Sequence, residues 1–242
     1  MHKAIYKLNK FKGYEIRRMA ISRIVSCLKA QDIDFIFDVG ANTGQFACDL
    51  ISNKYEGSIL SIEPQSAAQA ILRKRSEKYP NWFVMDPVAL GAENATGELN
   101  ISLNSVSSSL LPVSKQSIDV SPGTNFVGSE IVNIIKFDDV FEEYRKSGIK
   151  FAIKIDSQGY EMEILKGCKN SIEHVDVLIL ELSLTEVYVG GADYLKIIEL
   201  LDSYGFILWD IHPGFKDRRT GQLLQFDGVF TRKTGNVQFK NF

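Results

Sequence analysis

From residue 35 onward, short apolar runs alternate with longer amphipathic stretches. Phe35–Val39, Ser58–Ile62, Trp82–Met85, Phe151–Asp156 and Val175–Glu181 are rich in Val, Ile, Leu and Phe and too short for helices, so they read as buried strands. Between them the spacing predicts helices from Gln45 to Asn53, from Pro64 to about Lys78, from Asp138 to Lys146, and from Tyr160 to Lys166 with Gly167 as its cap. Tyr194, Ile197, Ile198 and Leu201 form the stripe of a further helix, ended by Gly205. This alternation predicts an α/β fold with a mostly parallel sheet and right-handed crossovers. Phe206–Asp210 and Phe226–Thr231 have no helix between them, which predicts an antiparallel pair at one edge. Glu98–Leu103 and Ile131–Ile135 read as additional strands. Upstream, Ile16, Met19, Ile21, Ile24, Val25 and Leu28 predict a helix packed on the domain from outside.

One segment breaks the alternation. Residues 104–129 contain eight serines, two prolines and two glycines without sustained periodicity. Unstructured insertions of this length are uncommon in compact domains and often serve as lids. The expected organisation is therefore a helical arm over 1–30, a catalytic domain over 31–234 with 104–129 as a lid or a passive exposed insertion, and a tail over 235–242.

Charge divides the chain in the same place. Residues 1–29 hold eight Lys/Arg against one acid, +7, whereas the remainder holds 20 against 29, −9. A basic arm on an acidic body suits peripheral contact with an anionic membrane, although a solvated helix face has the same composition. No nucleic acid partner is expected. No apolar run is long enough for a membrane span or a signal-peptide core. The three cysteines, Cys27, Cys48 and Cys168, form no CxxC pair, and the three histidines show no ligand spacing. The expectation is a cytoplasmic protein, peripheral at the inner membrane face at most, without a dedicated metal site.

The chemistry gathers at strand ends. The first strand runs into a turn carrying Gly40 and Gly44, and glycines there let the backbone turn sharply and let a ligand lie close. The N–H groups of the following helix point into the same space. Glu63, 23 residues after Gly40, ends the second strand at the spacing of acids that grip ribose hydroxyls. Asp38, Glu63, Asp156 and Glu181 each end a core strand, so all four are expected around one crevice. Such a rim suits a ligand with a ribose and a positive charge. In the Phe151–Asp156 strand, Lys154 and Asp156 share one face, and a lysine in a central strand needs a partner. Asp156 is therefore the first candidate for a general base. His212, expected in a loop between the last two strands, is the second.

Seven segments together resemble the FkbM-type S-adenosylmethionine-dependent methyltransferases. They are Asp-Val-Gly-Ala-Asn-Thr-Gly (38–44), Ile-Glu-Pro (62–64), Val-Ala-Leu-Gly (88–91), Ser-Ser-Leu (108–110), Lys-Ile-Asp-Ser-Gln-Gly-Tyr-Glu (154–161), Leu-Lys-Gly (165–167) and Phe-Asp-Gly-Val-Phe (226–230). The resemblance runs from about residue 34 to 232. It implies a Rossmann-like class I methyltransferase fold, a seven-stranded sheet whose last strand is antiparallel. By motif position, Asp38, Gly40, Ala41, Asn42 and Gly44 would hold the methionine part of S-adenosylmethionine, and Glu63 the ribose. The loop from Asp86 to Ala89 would approach the adenine, and Ser108, Ser109 and Glu181 would face the acceptor, a hydroxyl on a glycan or natural product. The family often carries Glu where this chain has Gln158, which leaves the role of that position open. A nicotinamide-dependent dehydrogenase shares the strand, turn and ribose acid, but its fingerprint asks for three glycines where this turn has two. A non-catalytic nucleoside-binding module on the same fold is a third class.

Overall fold

The computed structural model describes residues 19–233. Seven strands form the main sheet: β1 (Phe35–Val39), β2 (Ser58–Ile62), β3 (Trp82–Val84), β7 (Phe151–Ile155), β8 (Val175–Ser183), β9 (Phe206–Pro213) and β10 (Gln225–Arg232). Their order is β3-β2-β1-β7-β8-β10-β9. Every pair from β3 to β8 is parallel, and β10 is antiparallel to both β8 and β9. The protein is thus α/β with a mostly parallel sheet and the Rossmann-like strand order of class I methyltransferases. The expected hairpin exists, but β10 is inserted between β8 and β9, which leaves β9 at the edge.

Side-chain alternation sends each strand into two cores. On one face Phe37, Val39, Ile153, Ile155, Leu178 and Leu180 pack under α5 (Phe137–Tyr144), α6 (Glu161–Lys166) and α7 (Tyr194–Ser203). On the other, Ile36, Ile59, Ala152, Val177 and Ile179 pack under α1 (19–30), α2 (Gln45–Ser52) and α3 (Ser66–Ser76). The described part of the amino-terminal helix is therefore a structural layer of the sheet: Ile24 and Leu28 are buried in this core. Residues 1–18, with most of the basic arm, and the tail lie outside the described residues.

A second sheet, β4 (Ala89–Gly91), β6 (Phe126–Lys136) and β5 (Ala95–Ser102), stands beside the first. Gly167 ends α6 with a right-handed φ of −81°, not as a left-handed cap. Its value is proximity: a Cβ there would lie 2.1 Å from the Gly91 carbonyl oxygen, so glycine lets α6 meet β4.

The serine-rich segment is not structureless. It holds α4 (Lys115–Val120) and a 3-10 turn (Pro122–Thr124), and residues 126–129 already belong to β6. Its serines act as fasteners. Ser114 caps α4 by accepting from the Ser117 N–H, and Ser109 Oγ donates to the Gln158 carbonyl at 2.7 Å. Among the described residues no helix is long and apolar enough to cross a membrane.

Candidate active site

The carboxyl ends of β1, β2 and β7 open onto a cavity of about 410 Å³, within the ~300–1,000 Å³ range of small-molecule sites. At its centre lies the glycine turn. Gly40 has φ +70°, and a Cβ there would lie 1.9 Å from the Asp156 carbonyl oxygen, so only glycine lets the end of β1 pass against the end of β7. The Asn42 side chain ties this turn to the serine-rich segment. Its Nδ2 donates to the Ser105 carbonyl at 2.9 Å, while its Oδ1 accepts from the Thr43 N–H at 2.7 Å.

Glu63 faces the cavity with both oxygens held from behind. The Asn42 N–H donates to one at 2.7 Å and the Gln65 N–H to the other at 2.8 Å. Burial pushes its carboxyl up to about 7, against the pull of those two N–H groups and of Lys154. A carboxylate fixed this way keeps outward lone pairs for donors such as ribose hydroxyls.

Lys154 is buried in β7, where its Nζ lies 3.4 Å from Asp156 Oδ2 and 3.5 Å from Asp38 Oδ1. It also donates to the carbonyls of Gly40 and Val39, at 3.2 and 3.4 Å. Burial pulls this ammonium down, but Asp156 and Asp38 together hold it above its usual range.

Beyond Asp156, the chain takes a left-handed turn through Gln158, φ +56°, stabilised by Glu161, whose Oε1 accepts from the Ser157 and Gly159 N–H groups. Gln158 is the hub of the far wall. Its Nε2 donates to Asp156 Oδ1 at 2.6 Å and to Glu181 Oε2 at 2.7 Å, and its Oε1 accepts from the Tyr188 hydroxyl at 2.6 Å. Gln225 Nε2 also donates to Glu181 Oε2, at 2.8 Å. Burial, with Asp156 and Asp227 nearby, pushes the Glu181 carboxyl well above the usual range.

Of the residues singled out from the sequence, Gly40, Ala41, Asn42, Glu63, Ala89, Ser108, Lys154, Asp156 and Glu181 line this cavity. Five stand apart. Asp38 lies within β1 and is fully buried against Lys154 and Ser61, so three of the four strand-end acids reach the crevice, not four. Gly44 packs on Trp82, whose ring would lie 2.7 Å from a Cβ. The Asp86 carboxylate is exposed and paired with Arg73 at 2.7 Å. Ser109 is buried and holds the Gln158 turn. His212 is not in a loop: β9 extends to Pro213 and buries it beside Asp210, which is in turn paired with Arg23 of α1.

The sequence argument left the role of Gln158 open and missed Tyr188 and Gln225; all three are neutral residues that only the fold brings to the carboxylates. It also missed Ile21 and Ile24 of α1 and Phe46 of α2 as cavity wall; their helical spacing fits any core.

A family model described as the methyltransferase FkbM domain matches residues 38–208. The hexuronic acid methyltransferase AglP of Haloferax volcanii is 26% identical over 159 residues, 64% of this chain and 58% of the relative. The matched region thus spans little more than half of that relative. Among solved structures, M. capricolum TrmK in complex with S-adenosylhomocysteine aligns with TM-score 0.46 at 10% identity, covering 90% of this chain and 68% of that one. Magnesium protoporphyrin IX methyltransferase from Synechocystis with bound S-adenosylmethionine aligns with TM-score 0.47 at 11% identity, covering 90% and 80%. The strand order, not these distant likenesses, carries the fold.

Proposed function

The chain belongs to the FkbM methyltransferase family, whose members draw on S-adenosylmethionine, and from that premise we propose that it methylates a hydroxyl group on a sugar-containing acceptor. The family match sets aside the nicotinamide-dependent alternative, and the protein is an enzyme that transfers methyl groups. The observation that carries the cofactor site is Glu63, at the end of β2, anchored by two backbone N–H groups and aimed into the cavity beside the glycine turn.

When bound, S-adenosylmethionine supplies a methyl group on a sulfonium sulfur, so a carbon–oxygen bond forms as the carbon–sulfur bond breaks. The protein's tasks are alignment and proton removal, worth several kcal/mol and roughly 10²–10⁴-fold respectively. In this reading Glu63 takes the ribose hydroxyls as donors, and the turn from Gly40 to Asn42 takes the amino acid end. Asp156 accepts the acceptor's hydroxyl proton, with Lys154 and Gln158 fixing one oxygen each. His212, buried on β9 and absent from the cavity lining, is not assigned that role. Residues 104–129 cover the acceptor side, since Ser105, Val106 and Ser108 line the cavity.

Isothermal titration with S-adenosylmethionine and with NADH tests the cofactor. The former should bind and the latter should not, and Glu63→Ala should weaken binding by about 1.5–3 kcal/mol, the cost of a hydrogen-bonded charged partner. Unchanged affinity in a folded Glu63→Ala variant would remove the assignment.

A further inference from the structure

A second cavity of about 270 Å³ adjoins the first, and Val106, Asp156, Gln158 and Glu181 line both. They meet at the carboxylate assigned above to the hydroxyl proton. The smaller cavity is walled by neutral hydroxyl and amide side chains, among them Asn104, Ser121, Tyr188 and Gln225, with the half-buried ring of Phe215 on one side. Polar donors and acceptors around an aromatic face are the chemistry that recognises a polyhydroxylated ring.

The charge of the lining is one-sided. Among the described residues it includes the carboxyl groups of Asp156 and Glu181 and no Lys, Arg or His. The nearest buried cation, Lys154, is already committed to Asp156 and Asp38 and is not in this lining. In the turn after Phe215, Lys216, Arg218 and Arg219 are exposed and outside the lining, and Arg219 is paired with Asp217 at 2.9 Å. A carboxylate bound here would face the Asp156 carboxylate and find no counter-ion among the described residues of the wall, which low dielectric makes costly.

Resting on the methyltransferase reading above, the geometry points to this cavity as the acceptor site, and to an uncharged pyranoside as its occupant. The chain then differs in acceptor from the relative named for a hexuronic acid, because a uronate is excluded at the ring that carries the reacting hydroxyl.

Saturation-transfer NMR on the full chain with S-adenosylhomocysteine tests this, using methyl β-glucopyranoside, methyl β-galactopyranoside and methyl β-glucuronide at pH 7.5. At least one neutral pyranoside should bind at least tenfold more tightly than the glucuronide. Phe215→Ala should weaken it about tenfold while S-adenosylhomocysteine affinity changes less than twofold. Because that change removes packing, Ser121→Arg provides an independent arm: a cation at the wall should narrow or reverse the preference against the glucuronide. Glucuronide binding as tight as the neutral sugars in the wild type, or no pyranoside binding at all, overturns the proposal. Absence of S-adenosylhomocysteine binding, read separately by titration, overturns the cofactor reading and leaves the sugar result to stand or fall alone.

Discussion

Replacing Lys154 with Met keeps the unbranched stem of the side chain but removes its charged end, and the structure identifies which carboxylate is then stranded. Asp156 has a side chain 36% exposed and an amide donor from Gln158, so water and Gln158 can take over. Asp38 is 0% exposed. Ser61 Oγ donates to its Oδ2 at 3.1 Å, while its Oδ1 has no hydrogen bond among the described residues and only the ion pair with Lys154 at 3.5 Å. Removing one partner of a buried pair costs about 3–5 kcal/mol. For a chain of this size that is a fall in melting temperature of roughly 6–20 °C. The loss must also depend on pH. Burial already raises the Asp38 carboxyl, and Lys154 is the largest influence lowering it. Without Lys154 its folded pKa rises further above the unfolded value, so the variant is least impaired at low pH and loses stability as pH rises through that folded pKa. Urea melts at pH 5.5 and pH 8 read both effects. Asp38→Asn added to Lys154→Met should recover more than half of the loss at pH 8. A loss below about 1 kcal/mol, or one equal at both pH values, would refute the argument.

Three other outcomes are expected. Asp156→Asn should depress turnover by about 10²-fold or more with little change in cofactor affinity, and retention of more than half the activity would send the base elsewhere. With Glu63 titrating at about 7 and binding ribose as the ionised form, S-adenosylhomocysteine affinity should fall about tenfold from pH 8 to pH 6. The ligand's own amino group titrates nearby, so the measure is the part of the slope that Glu63→Gln abolishes. Gln158→Glu should lower the melting temperature by at least ~5 °C at pH 8 and by less at pH 5.5, since it places a third carboxyl directly between those of Asp156 and Glu181 and removes the donor they share; equal melting temperatures at pH 8 would contradict the role of Gln158 as a bridge.

The sheet was legible because burial on two faces writes itself into strand composition. Phe151, Ile153 and Ile155 face one core and Ala152 the other, as alternation requires. That Lys154 needed a partner was equally legible. Its second partner was not, because Asp38 reaches it across the β1–β7 register, in which Asp38 stands beside Lys154, and register is not written in either strand alone. The same limit explains His212: nothing local shows that β9 continues past Asp210, since its exposed positions, Leu208, Trp209 and Ile211, are apolar while the polar Asp210 and His212 are the buried ones, the reverse of the usual alternation. The serine-rich segment misled for a different reason. Composition registers serine as loop, whereas here hydroxyls at 109, 114 and 117 close hydrogen bonds that short elements need.

Gln158 shows how one atom type decides the character of the site. Asp156 and Glu181 converge on a single point, and two carboxyl groups there need a donor between them. The amide nitrogen of Gln158 has two N–H groups and uses one for each, while its oxygen accepts from Tyr188. A glutamate at this position, as the resembling sequences often have, offers no such pair of donors. Gln158 on one oxygen and Lys154 on the other orient the Asp156 carboxylate, and because Lys154 does so from outside the acceptor cavity, the described wall carries no cation, which leaves that cavity fit for a neutral ring.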